Sequence, residues 1–194
     1  MKETINNLAK AYLGESQARN RYTFYSKIAK KEGYDQIAEI FDITAMNEME
    51  HAKALFELLN DLLKKEKLDL PEFDVEATVP TIIGDTATNL QAAMDGEHYE
   101  NTIMYPGFAE KAKEEGLQKI AVKLIAIARA EVHHEERYKK LLKEVQGKTI
   151  FEKEEEVSWV CRKCGYVHDG TEPPKVCPVC GHSHNYFELQ CETY

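Results

Sequence analysis

Tryptophan, proline and cysteine are scarce in this sequence: one, six and five among 194 residues. No stretch reaches the run of about 18 apolar residues that a membrane-spanning helix needs. The opening residues, MKETINNLAKAYLGES, lack the apolar centre of a secretory signal. Basic residues are also short, 25 Lys and Arg against 34 Asp and Glu, and the resulting charge of -9 repels phosphate backbones and anionic lipid surfaces. Nucleic acid and membrane are thereby set aside as partners, and a cytoplasmic, unprocessed protein is expected. The five cysteines are an odd count, and four of them form two CxxC pairs within 20 residues. That pattern suits a metal in a reducing compartment better than a disulfide framework.

What is abundant is Ala, Leu, Glu, Lys and Ile, with apolar residues recurring three and four apart over residues 2–147. Phe41, Ala45, Glu48, Ala52, Leu55, Leu58 and Leu59 trace such a stripe, so long helices are predicted. Gly33, Gly116 and Gly147 each follow a Lys/Glu-rich turn and are expected to end helices in the left-handed conformation. Pro71 and Pro80 bracket a stretch, 67–83, that cannot be helical throughout. The two helical halves resemble each other. Gly14-Glu15 matches Gly96-Glu97 at an offset of 82, and from Ala29 onward AKKEG matches AKEEG, Glu48 matches Glu131 and His51 matches His134 at an offset of 83. A duplicated helical hairpin joined by one long crossover is the expected fold, an all-α four-helix bundle of the ferritin-like class. Beyond Gly147 the chain turns Pro-, Gly- and Cys-rich with β-favouring residues. The expected organisation is a bundle over 1–147, a linker over 148–156 and a small β-rich module over 157–194.

The duplication puts Glu15 on the first helix, Glu48 and His51 on the second, Glu97 on the third, and Glu131 and His134 on the fourth. Residues three apart share a helix face, so each ExxH pair presents both groups to one spot. A glutamate from each of two helices with ExxH from the other two is a di-iron or di-manganese carboxylate arrangement. Buried carboxylates left without a counter-charge would cost several kcal/mol each or stay protonated, so metal is what makes them tolerable in a core. Glu100, three beyond Glu97, has Ala18 as its counterpart and is read as an additional ligand. Four glutamates neutralise two ferrous ions and leave room for a neutral imidazole. A ferric pair with an oxide or hydroxide keeps as much charge or more, so an exchange of His51 for Glu100 on oxidation is expected.

Cys161, Cys164, Cys177 and Cys180 form two knuckles of tetrahedral all-sulfur spacing that suits zinc or iron. Iron is favoured by the company it keeps, since a redox di-iron site can use a one-electron carrier and zinc cannot be one. Cys191 is expected to be incidental. His98, His133, His168, His182 and His184 are assigned surface or supporting positions only.

The motifs GESQARNRY, NEMEHAK, GEHYENTIMYPGF and AEVHHEERY, followed by CRKCGY and CPVCG, resemble the rubrerythrin family over nearly the whole chain. The resemblance implies a non-haem peroxidase that reduces hydrogen peroxide to water in oxidative-stress defence. It places two irons in the bundle and one iron, with zinc as a substitute, in a rubredoxin-like four-cysteine site. Its electron donors would be an NAD(P)H-dependent reductase and rubredoxin. It also implies a head-to-tail homodimer or higher oligomer, Tyr22 and Tyr105 hydrogen-bonding ligand carboxylates, and the Glu100/His51 exchange. A ferroxidase coupled to iron storage, and a non-catalytic metal-binding module, are the competing readings.

Overall fold

The computed structural model describes residues 2–191. Helices α1 (Glu3–Lys31) and α2 (Asp35–Lys65) form one antiparallel hairpin, with Gly33 at φ 86° in the turn between them. An extended crossover with no regular element runs from there to Asp85, whose side chain caps the next helix by accepting from the Thr88 amide at 2.8 Å. The second hairpin is α3 (Thr86–Tyr99), a π-helical turn (Glu100–Met104), α4 (Tyr105–Glu114) and α5 (Gln118–Gly147). The result is the expected four-helix bundle with one long crossover, except that its third helix is interrupted.

That interruption accounts for the change of offset from 82 to 83 in the sequence repeat. The second hairpin carries one extra residue between Glu97 and Tyr105, and a π turn absorbs a single inserted residue without breaking the helix. Tyr22 pairs with Tyr105 at the later offset and Glu15 with Glu97 at the earlier one. The insertion therefore falls between metal-site glutamate and tyrosine in one hairpin only.

The repeat also governs how the helices begin. Lys2, at the start of α1, offers no side-chain cap. The Glu115 carboxylate, from the turn after α4, accepts instead from the Glu3 and Thr4 amides at 2.7 and 3.1 Å. Glu32, its counterpart after α1, accepts from the Thr86 amide and hydroxyl at 2.9 and 2.6 Å at the start of α3. Each hairpin thus supplies a carboxylate to the positive end of the other, which satisfies donors that a helix start leaves free.

Two apolar clusters fill the bundle. One gathers Ile5, Leu8, Leu55, Leu59, Tyr105 and Leu124, and the other Tyr22, Tyr25, Phe41, Leu90, Tyr138 and Leu142. The polar layer described below lies between them. One expectation is corrected: Gly147 remains helical, and the left-handed position falls on Lys148 at φ 57°. The turn is held one residue later because Thr149 donates its amide to the Glu144 carbonyl and its hydroxyl to the Glu144 carboxylate, which also takes Lys153.

The C-terminal module is a three-stranded antiparallel sheet of order β2-β1-β3, from β1 (Val157–Cys161), β2 (Val167–Gly170) and β3 (Phe187–Leu189). Its core is small: Trp159, Cys161, Cys177 and Phe187. It packs on the α1–α2 end of the bundle, where Arg162 bonds Glu39, Asn185 donates to Asp35 at 2.6 Å, and Phe151 stacks on Tyr34. No described helix is long and apolar enough to cross a membrane.

Candidate metal centres

Helical periodicity aims Glu15, Glu48, Glu97, Glu131 and His134 into the core, all buried, with His51 only 16% exposed. Their donor atoms fall into two sets, each within 4.8 Å: Glu15, Glu48, His51 and Glu131; and Glu48, Glu97, Glu131 and His134. Glu48 and Glu131 belong to both.

The oxygens are distributed in the same way. Tyr22 donates to Glu97 Oε1 at 2.5 Å, and Tyr105 donates to Glu15 Oε1. The other oxygen of each, Glu97 Oε2 and Glu15 Oε2, is buried with no hydrogen-bond partner among the described residues. Both oxygens of Glu48 and both of Glu131 are likewise without one, as are His51 Nδ1 and His134 Nδ1. A carboxylate with one anchored oxygen is suited to a terminal ligand; one with both oxygens free in the middle is suited to bridge.

The histidine nitrogens approach these oxygens closely. His51 Nδ1 lies 2.9 Å from both Glu48 and Glu131, and His134 Nδ1 lies 2.8 Å from Glu131. None of these contacts has the alignment of a hydrogen bond. Lone pairs crowded toward a common point without a proton between them are what ligands sharing a cation require, so the residues fit a pair of metal ions.

Electrostatics agree. Burial pushes the Glu15 carboxyl well above its ordinary range, and Glu100, Glu131 and Glu48 push it further. Burial also lifts Glu97, to about 8, against the pull of His134. His134 is opposed by burial yet raised to about 12 by Glu131, Glu48 and Glu97, and His51 by Glu131 and Glu48 to about 9. Burial opposes the charged form of each of these groups, a cost that a cation among the carboxylates would offset.

Glu100 stands beside these sets rather than within either. Burial raises its carboxyl, followed by the charges of Glu97, Glu131 and Glu48, while Arg21 pulls it down. It lines a cavity of about 580 Å³ between α1 and α3, together with Gly14, Gln17, Arg21, Gly96 and Met104, under the crossover at Glu76–Thr78. A Cβ added at Gly14 would meet nothing within 4 Å. The glycines preceding Glu15 and Glu97 thus leave open the approach to Glu100.

The four cysteine sulfurs also converge, all within 4.8 Å. Cys161 and Cys180 sulfurs are 3.7 Å apart and those of Cys164 and Cys177 3.6 Å. A tetrahedral site with metal–sulfur bonds of about 2.3 Å has sulfur–sulfur edges of roughly 3.8 Å, whereas a disulfide needs about 2.05 Å. Gly165 and Gly181, at φ 75° and 73°, let each knuckle turn back, and their amides reach the Cys161 and Cys177 carbonyls at 2.8 and 2.9 Å. A side chain at either glycine would be strained. Cys191 is exposed and stands apart from this cluster.

Some histidines assigned no specific role do make contacts. His98 Nδ1 lies 3.0 Å from Glu135, and His182 Nδ1 lies 3.3 Å from the Cys180 sulfur. Sequence reasoning missed Arg21, Asn101 and Glu135 around the bundle site. Only the one-residue change of repeat offset pointed to the segment containing Asn101.

Comparison with known proteins agrees with the geometry. The rubrerythrin family model matches residues 6–142, and the model of the rubrerythrin rubredoxin-like domain matches residues 159–188. A Methanocaldococcus jannaschii protein described as a rubrerythrin is 59% identical, with 100% of this chain and 96% of the relative covered. Rubrerythrin-1 of Clostridium acetobutylicum is 49% identical over 99% of this chain and 96% of its own length. The fully reduced, all-ferrous structure of nigerythrin superposes with a TM-score of 0.64 at 30% identity, over 96% of this chain and 86% of that one. With a di-iron carboxylate site in its bundle and a rubredoxin-like four-cysteine site in its tail, the chain belongs to the rubrerythrin family.

Proposed function

We propose that this protein is a peroxidase that reduces hydrogen peroxide to water, taking two electrons and two protons per peroxide. The observation that carries the reading is the pair of donor sets sharing Glu48 and Glu131 beside a cavity that ends at Glu100. When bound, the two irons held by Glu15, Glu48, His51, Glu97, Glu131 and His134 supply Lewis acidity and one electron each.

The chain's own groups do the rest. The cavity over Gly14 and Gly96 admits a molecule as small as peroxide, and Glu100 faces it there. Tyr22 and Tyr105 each hold one oxygen of a terminal glutamate, so Glu97 and Glu15 keep the other aimed at the centre. The apolar clusters on both sides exclude bulk water. Glu100 and His51 are the pair we assign to the redox-linked exchange of ligands. They stand on the π turn and on α2 respectively.

Electrons enter, in this reading, through iron in the four-cysteine site, from an NAD(P)H-dependent reductase or rubredoxin. Within one chain that site sits at the Asp35–Glu39 end of α2. At 1.5 Å of rise per residue, Asp35 and Glu48 are on the order of 20 Å apart. That is long for transfer through protein, and it supports a head-to-tail homodimer in which a partner's four-cysteine iron lies nearer. The reaction belongs to the cytoplasm, where thiolate sites stay reduced.

The test is anaerobic. Fully reduced protein is mixed with one equivalent of peroxide while both iron chromophores are followed, and steady-state peroxide loss is then measured with a reductase and NAD(P)H. Rapid oxidation of the bundle irons followed by oxidation of the four-cysteine iron is expected. Slow reaction with peroxide and fast reaction with O2 would favour a ferroxidase.

A further inference from the structure

The π turn that carries Glu100 absorbs an extra residue, and that residue could in principle be absorbed anywhere between Glu97 and the point where α4 regains register. Downstream its position is set by Pro106, which has no amide to donate and cannot sit within a regular α-helix without losing a bond to the preceding turn. Upstream, two backbone observations mark the start. The Glu100 amide donates to the Glu97 and Gly96 carbonyls, and the Tyr105 amide donates back to Glu100, five residues away.

A side-chain clasp sits on this junction. Asn101 Nδ2 donates to the Glu97 carbonyl at 2.8 Å and to Glu135 Oε2 on α5 at 2.7 Å. The other oxygen of Glu135 lies 3.0 Å from His98 Nδ1. Asn20 and Asn60 also donate to carbonyls four residues back, at 3.0 and 2.8 Å, and both of those contacts are local to an exposed helix face. Asn101 differs in bridging to a second helix, one residue from His134. Its partners on either side are thus neighbours of ligands on α3 and α5, and Glu100 is the residue before it.

We propose that Asn101, acting through Glu135 and the Glu97 carbonyl, is a positioning residue that pins the π turn and so holds Glu100 at the metal site. The clasp holds the upstream end of the turn, so that with Pro106 limiting it downstream the extra residue of the second hairpin stays at 100–104. This rests on the reading of Glu100 as a ligand. The clasp touches neither peroxide nor metal.

The test uses full-length protein with its four-cysteine site kept loaded and its bundle site emptied and then titrated with cobalt(II), together with amide hydrogen exchange at Tyr105, and needs no peroxide turnover. Asn101→Leu keeps the branched side-chain shape and removes both donations. It is expected to speed exchange of the Tyr105 amide at least tenfold and to weaken one of the two cobalt sites by about 10–100-fold, as loss of a supporting contact does. Glu135→Gln can still accept from Asn101 and is expected to match the unaltered protein in both readouts. Should Asn101→Leu fail to fold, Glu135→Leu removes the anchor on α5 alone and is expected to shift both readouts in the same direction. Unchanged exchange and affinity in the folded leucine variants would overturn the clasp, while a Glu100→Ala variant that weakens one cobalt site would leave the ligand reading standing. A Glu100→Ala variant that binds both cobalt ions normally would overturn the ligand reading and the proposal with it.

Discussion

The two tyrosine hydroxyls make a prediction that is selective between the metal ions. Tyr22 anchors Glu97, which belongs only to the set with His134, and Tyr105 anchors Glu15, which belongs only to the set with His51. Tyr22→Phe removes one oxygen from a fully buried ring and leaves Glu97 Oε1 without its donor. A hydrogen bond to a charged group contributes about 1.5–3 kcal/mol. At about 1.4 kcal/mol per factor of ten, that corresponds to roughly a 10–100-fold loss of affinity at one metal ion, the range known for supporting contacts around metal sites. The packing cost is small, because Phe retains the ring contacts with Tyr25, Phe41 and Tyr138. With the four-cysteine site kept loaded, calorimetric titration of the emptied bundle site with cobalt(II) would resolve two steps, with the weakened one assigned through His51→Ala and His134→Ala backgrounds. Tyr22→Phe should have little further effect when His134 is already gone, and its full effect when His51 is gone. Tyr105→Phe should show the reverse. Equal weakening of both ions by either variant would refute the division into terminal and bridging glutamates.

The C-terminal module has too small a core to hold itself without metal. Chelation, or Cys177→Ser, should expose Trp159, the only tryptophan in the chain, and red-shift its fluorescence while the helical circular dichroism of the bundle persists. At Gly14, Ala should raise the melting temperature, since it relieves a helix of glycine and meets nothing within 4 Å. Leu at the same position should fill the cavity and slow peroxide oxidation of reduced protein at unchanged iron content. Glu115 is held below the ordinary carboxylate range: burial works against it, but the Thr4 and Glu3 donors and the Lys2 charge prevail. A carboxyl depressed on folding stabilises above its unfolded pKa, and this contribution disappears as pH falls through the lower folded value. Glu115→Gln should therefore lower the melting temperature at pH 7, by a few degrees for a cap of about 1 kcal/mol, and the difference should vanish in acid.

Much of this architecture was legible beforehand because it rests on local rules. Helical periodicity put Glu48 with His51 and Glu131 with His134 on shared faces, and the repeat identified their partners. CxxCG spacing specifies its own knuckle, since the glycine after each pair takes the left-handed turn that lets backbone and sulfur close around one ion. Gly33 and Gly116 ended helices as expected. Gly147 did not, because the side chains of Thr149 and Lys153 compete for Glu144 and decide where the chain turns.

What the sequence determined by itself was the set of chemical groups, their spacing along each helix and the duplicated plan, all of which depend on residues close together in the chain. Which carboxylates have an anchored oxygen depended on the fold, because a tyrosine from the opposite hairpin reaches Glu15 and Glu97 but, among the described residues, none reaches Glu48 or Glu131. The crossed capping by Glu32 and Glu115, the opening over Gly14, and the clasp from Asn101 to Glu135 likewise join positions 34 to 112 residues apart, or arise where helices separate. Only packing of one hairpin against the other brings such groups within hydrogen-bond range, and no periodicity within a single helix encodes it.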